Sequence, residues 1–213
     1  SLFCLLFAFT VSSCSNPSQQ KETESEGKST KTTNTRFDIQ RGVNISHWLS
    51  QSDRRGAERE EYFTQEDVIF IAQSGFDHIR IPIDEELMWD ENGEKHPEAF
   101  DLLHQALAWS QESKLKVILD LHILRSHYFN ANFKGTENTL FTSEASQEQF
   151  YGFWRELSDE LSKYPTDFLA YELMNEPIAD NAEDWNKLVN QCTAAVREKE
   201  PERKIVIGSK YIR

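Results

Sequence analysis

Residues 168–177, Phe-Leu-Ala-Tyr-Glu-Leu-Met-Asn-Glu-Pro, decide how this chain is read. A mainly apolar, aromatic-bearing run reaches Met174, as in a buried strand, and Pro177 ends it because proline has no N–H for a ladder. Asn175 and Glu176 are thereby delivered as a polar pair at the C-terminal end of that strand. A carboxyl at such a rim, braced by a neighbouring amide, has the chemistry needed to protonate a departing oxygen. Taken alone, the triplet Asn-Glu-Pro is equally a polar turn with a solvated Glu176, since turns favour Asn and Pro. The rest of the chain separates these readings.

Working outward, further β-rich runs occur at 41–46, 76–83, 116–123 and 204–208. Helical patterns lie between them. Thr64 begins the first as an N-cap, with Asp67 three residues on, Val68, Ile71 and Ala72 as its apolar stripe, and Gly75 as its stop. The second runs from Pro97 to about Ser113. A third carries Phe150, Phe153, Trp154, Leu157 and Leu161, and a fourth carries Trp185, Leu188 and Cys192 before Pro201. Alternation of apolar strands with helices means a parallel sheet covered by helices.

Two architectures fit that pattern, an open doubly wound sheet and a (β/α)8 barrel. Strand starts recur every ~35–50 residues and a typical barrel takes ~250, so 213 residues would hold only part of one. The first turn, Asn44-Ile45-Ser46-His47-Trp48, has no Gly-rich phosphate cradle, which removes the main device of a dinucleotide fold. Arg80, His122 and Asn175-Glu176 instead fall near the C-terminal ends of successive strands, and in a barrel those ends converge on one mouth. The sequence therefore predicts an α/β chain: a (β/α)8 TIM barrel with only its first five βα units present.

Composition narrows the partners. A formal charge of −13 and a pI near 4.9 argue against nucleic acid, whose binders are usually basic, and favour a neutral polymer. Residues 2–11 form an apolar run too short to span a bilayer but suited to an export signal. Ser12-Ser13-Cys14 resembles the lipobox of bacterial lipoproteins, which makes 1–14 a signal segment with Cys14 as the lipid site and the membrane a partner only through that anchor. Residues 15–36 are too polar to pack and read as a flexible tether, leaving 37–213 as the barrel part. The localisation this implies is export, with the chain lipid-anchored at the cell envelope or secreted. Cys192 then stands alone on an apolar helical face, a packed small hydrophobe rather than half of a disulfide.

Four segments in series resemble glycoside hydrolase family 5: RGVNISHWL at 41–49, HIRIPI at 78–83, VILDLH at 117–122 and ELMNEP at 172–177. The resemblance covers about 37–213 and implies a retaining (β/α)8 enzyme acting on β-linked glucan, without a cofactor and as a monomer when full length. It implies that Glu176 is the general acid/base and that Asn175 holds a sugar 2-hydroxyl. By the same resemblance, Arg80 orients the nucleophilic carboxylate and His122 contacts sugar. The family's nucleophilic glutamate follows its seventh strand and has no counterpart here. A β-mannanase or exo-1,3-glucanase of the same family, or a surface glycan-binding lipoprotein that does not cleave, remain alternatives.

Retaining cleavage places two carboxyls about 5–5.5 Å apart, whereas Glu172 lies ~13 Å down the strand from Glu176. Asp120, two residues below His122, reads as a buried, paired carboxylate, so no second catalytic carboxyl is visible. Arg80 paired with Asp84 or Glu85, and His122 as a core imidazole, are the competing structural readings. His47 and Trp48 after the first strand, and His127 and Tyr128 in the loop 125–130, are further candidates for substrate contact, because rings and donors suit sugar faces and hydroxyls. The acidic run Asp84-Glu85-Glu86 reads as a solvated face rather than a metal site.

Overall fold

A computed structural model describes residues 36–128 and 138–210. The signal-like run, Cys4, Cys14, nearly all of the tether and loop residues Phe129 and Asn130 lie outside the described residues. Strands β1 (Gly42–Asn44), β2 (His78–Asp84), β3 (Lys116–Ile123), β4 (Leu169–Glu172) and β5 (Lys204–Val206) form one parallel sheet in the order β1-β2-β3-β4-β5. Each strand adds beside the one before it, so among the described residues the order nowhere reverses. Right-handed crossovers then put the connecting helices on one face, which is how a barrel wall is wound and not how a doubly wound sheet is built.

The helices between the strands are α1 (Ala57–Glu60), α2 (Gln65–Gln73), α3 (Glu85–Met88), α4 (Pro97–Glu112), α5 (Glu144–Leu161) and α6 (Ala182–Lys199). Their starts carry the signals the sequence displays. Asp67 accepts from Thr64 N (2.9 Å) and Oγ1 (2.8 Å), Ser143 Oγ accepts from Ser146 N (3.3 Å), and Asn181 Oδ1 accepts from Asp184 N (2.9 Å). The short α1 and α3, lying in the connections after β1 and β2, carry no sequence period long enough to announce them. Gly42 is required by a close approach, since a Cβ there would sit 2.1 Å from His78 Nε2.

The sheet's two faces differ. Ile79, Ile81, Ile83, Val117, Leu119, Leu121, Leu169 and Tyr171 are fully buried on one parity. Arg80, Asp120, His122 and Glu172 occupy the other. The buried set continues into Trp154 of α5, whose indole tilts against Tyr171 (5.2 Å) and donates to Leu173 O at 3.1 Å. Between α4 and α5, Glu160 is held by Lys95 (2.9 Å) and His104 Nε2 (2.7 Å), which brings its carboxyl down to about 2. Among the described residues, no helix is long and apolar enough to cross a membrane.

A buried cation closes the amino-terminal end of β5. Arg203 is fully buried, pairs with Glu200, and donates to Leu169 O (2.8 Å), Tyr164 O (2.8 Å) and Pro165 O (3.1 Å). Glu200 also accepts from Tyr171 Oη at 2.8 Å. One side chain thus joins the turn after α5, strand β4 and the α6–β5 turn.

Candidate active site

Strand ends bring the sequence candidates together. Toward the C-terminal edge of the sheet, β1 ends on Asn44, the middle of β2 carries Arg80, β3 presents Asp120 and His122, and β4 leads through Glu172 to Asn175 and Glu176. Arg80 is the centre of this group. Its Nε and Nη2 fork onto Glu172 at 2.7 and 3.0 Å, its Nη1 reaches Asn44 Oδ1 at 2.9 Å, and its Nη2 also faces Asn175 Oδ1 (3.0 Å) and Asp120 Oδ2 (2.8 Å). Pairing of Arg80 with Asp84 or Glu85 is therefore not what the fold makes.

Asp120 is fully buried and its Oδ2 also bonds His122 Nδ1 at 2.6 Å. Burial pushes its carboxyl up, while His122 and Arg80 pull it back. An ionised Asp120 keeps the imidazole proton on Nδ1 and so selects the tautomer. Asn175 is oriented in the same way: Oδ1 against a guanidinium leaves Nδ2 as the group the amide offers elsewhere. Its backbone N–H bonds Leu121 O at 3.3 Å, tying the segment to β3.

Glu176 follows with φ +41°, a left-handed backbone that non-glycine residues adopt at a cost. Its side chain is exposed. His47 is also exposed at a positive φ (+59°), with Nδ1 bonded to Gln51 O at 3.1 Å.

Two candidates move away from the opening. Trp48 is fully buried, packs edge-on against Phe63 and donates Nε1 to Arg59 O at 2.9 Å, so it is a core residue and not a sugar platform. His127 is 1% exposed; its Nε2 accepts from Ile178 N at 3.1 Å and its ring meets Phe141 edge-on. His127 therefore supports the segment just past Glu176 and does not offer its ring to a ligand. Tyr128 is half-buried, its backbone bracketed by Asn138 (2.8 and 3.1 Å), and burial followed by the charge of Asp84 pushes its phenol up.

Of the acidic run Asp84-Glu85-Glu86 at the end of β2, only Glu86 is exposed. Asp84 and Glu85 are both buried; Glu85 bonds Arg125 N (2.9 Å) and Nη1 (2.7 Å), and Asp84 Oδ2 accepts from Gln51 N at 2.6 Å. Burial raises the Asp84 carboxyl to about 6, against the pull of Gln51 N–H, the Ser50 hydroxyl and His122. A folded value above the ordinary ~3.9 means the native state binds this proton more tightly than the unfolded chain. The stability contribution of Asp84 is thus whole below about pH 4 and fades as pH rises through about 6. Asp84→Asn keeps an acceptor for Gln51 N and no titrating proton, so its Tm relative to the parent is expected to rise between pH 4 and 6. A pH-independent Tm difference in thermal scans would contradict this.

Sequence reasoning missed Asn44, and it weighed Glu172 only as a second catalytic carboxyl and Asp84 only as a partner of Arg80 or part of an acidic face. A usable signal existed for Glu172: it is an acid inside an apolar strand, two residues from Ala170 on the same face. Among the described residues, no group of three or more His, Cys, Asp or Glu is arranged to hold a metal ion.

Fold and site together define a partial (β/α) barrel carrying an acid, an amide and a guanidinium on the carboxyl rim of its sheet. Residues 27–212 match the family model "Cellulase (glycosyl hydrolase family 5)", and the chain belongs to that family. It is 30% identical over 173 residues to cellodextrinase A of Ruminococcus flavefaciens, covering 80% of this chain and 50% of that protein. It is 32% identical over 170 residues to endoglucanase C of Acetivibrio thermocellus, covering 78% and 48%. The fold is similar to Thermotoga maritima Cel5A in complex with cellobiose, with TM-score 0.66, 23% identity and coverage of 83% and 53% of the two chains. The chain spans about half the length of the curated relatives it matches.

Proposed function

We propose that residues 37–213 are the N-terminal part of a retaining β-glucan hydrolase, exported and tethered to the cell envelope through Cys14. The observation that carries this reading is the shared contact of Arg80 with Asn175, immediately before Glu176, in a chain of this family. Glu176 gives its proton to the departing glycosidic oxygen and later takes one from water. Asn175, its amide orientation set by Arg80, donates Nδ2 to the sugar hydroxyl beside the breaking bond. His122, its tautomer set by Asp120, lies one strand away at the same rim. The nucleophilic carboxylate comes from a later strand, and closure of the barrel around Glu176 supplies the drier surroundings that a general acid at neutral pH requires.

β-1,4-Glucan is the substrate favoured by the endoglucanase and cellodextrinase relatives. The test is release of reducing ends by the full-length gene product from β-1,4-glucan, mixed-linkage glucan, 1,3-glucan and mannan, with the product anomer read by NMR. Cleavage of β-1,4-linked substrates with retention is expected. Inversion, or binding of these polymers without new reducing ends, would sink the reading, and the latter would leave a surface glycan-binding lipoprotein.

A further inference from the structure

One nitrogen of the Arg80 guanidinium carries more partners than its hydrogens allow. Nη2 has two hydrogens and faces three acceptors: Glu172 Oε1, Asn175 Oδ1 and Asp120 Oδ2, at 3.0, 3.0 and 2.8 Å. With Asn44 on Nη1, side chains from β1, β3 and the end of β4 meet on one cation of β2. These partners are not equivalent. Asn44, Asp120 and Asn175 each touch one nitrogen, whereas Glu172 spans Nε and Nη2 in a fork. A single contact leaves a guanidinium free to rotate about its stem; a fork sets its plane as well as its position.

We propose that Glu172 is a positioning residue, which fixes the plane of Arg80 and through Arg80 aims the Asn175 amide beside Glu176. The inference rests on the reading of Glu176 as acid/base. It also alters what Arg80 contributes. One positive charge faces two carboxylates, Glu172 and Asp120, so the pair Arg80–Glu172 presents geometry to the opening more than net charge. The other charged groups facing this cluster are His122 beside Asp120 on β3, Asp84 higher on β2, and Glu176 beyond β4, which lies within electrostatic reach of Arg80.

Geometry and charge separate in two variants. Glu172→Asp keeps the charge but shortens the arm by one methylene, which breaks the fork. Glu172→Gln keeps the length but replaces one of the two acceptor oxygens by an NH2, so it breaks the fork and also withdraws one negative charge from the neighbourhood of Glu176; what it does beyond Glu172→Asp reports the charge. In the full-length protein, kcat and KM on a soluble β-glucan are measured across pH for both variants, with Glu176→Gln as reference and at a temperature well below each variant's Tm. Glu172→Asp is expected to lower kcat about 10²-fold, as for a small misplacement of a positioned group, with KM within about threefold and both pH limbs unmoved. Glu172→Gln is expected to displace both limbs to lower pH, because nearby carboxyls ionise more readily. Parental kcat in folded Glu172→Asp, or pH limbs that stay in place in Glu172→Gln, overturns the proposal; should Glu172→Gln not fold, Glu172→Asp decides. Parental activity in Glu176→Gln strikes the underlying reading, whereas an inactive Glu176→Gln beside an unimpaired Glu172→Asp strikes this inference alone.

Discussion

Glu176→Gln in the full-length protein is expected to lower turnover of an unactivated β-glucan by about 10²–10⁴-fold, the range for loss of a positioned general acid. The substitution preserves size and leaves the carbonyl oxygen in place, but it removes the ionisable proton. Glu176 is exposed, so folding should be little affected, within about 0.5 kcal/mol for a surface site. Its φ of +41° is no worse for glutamine than for glutamate. KM should change little, because Asn175 and His122 keep their partners in Arg80 and Asp120. Steady-state kinetics beside a thermal scan checks both halves. Near-parental turnover would remove Glu176 from the mechanism, whatever the family.

Arg203→Met is expected to have the largest effect on stability. The guanidinium is fully buried and serves Glu200 together with carbonyls of Pro165, Leu169 and Tyr164. Methionine fills much of the volume but leaves Glu200 buried without its counter-ion and takes the side-chain donor away from the carbonyls of Leu169 and Tyr164, whereas Pro165 O keeps the N–H groups of Phe168 and Leu169. Removing one partner of a buried pair costs about 3–5 kcal/mol. At about 2–4 °C per kcal/mol for a chain of this size, that is a Tm lower by on the order of 10 °C. The double variant Arg203→Met/Glu200→Gln should recover part of the loss, since the orphaned charge is gone and Tyr171 Oη keeps an acceptor. Urea unfolding of parent, single and double variants measures this. A single variant within 1 kcal/mol of the parent, on the scale set by the buried-pair estimate, would show that Arg203 is a passenger.

Much of the fold was legible because it is written in local periods. The helices α2, α4, α5 and α6 follow from apolar spacing, and the starts of α2 and α4 from Thr64 and Pro97, whereas the Ser143 and Asn181 caps of α5 and α6 emerged only with the structure. The choice of barrel over open sheet followed from where the polar residues stand, at strand ends, and the unreversed strand order agrees with it. Strand limits were less legible: a run expected at 168–174 pairs only over Leu169–Glu172, because beyond it the backbone turns to place Asn175 against β3.

Side-chain direction beyond the strands was the weak point. Adjacent residues His47 and Trp48 looked equivalent as substrate contacts, yet a left-handed turn at His47 leaves one exposed and sends the other into the core. His127 looked like a donor for a ligand and is instead an acceptor for Ile178 N. The acidic run at the end of β2 looked solvated because acids usually are; Gln51 N and Arg125, from other loops, make the burial of Asp84 and Glu85 tolerable.

The amino-acid order by itself determined the alternation of strand and helix, the polar rim at the strand ends and the placing of Glu176 and Asn175 on that rim, since each depends on neighbours a few positions away. Only the tertiary structure decided that Arg80 is held by Glu172, 92 residues along the chain, and that Asp120 serves Arg80 and His122 together. Pairings of that kind depend on the register between strands, and register is settled by the packing of whole faces rather than by any short stretch of residues.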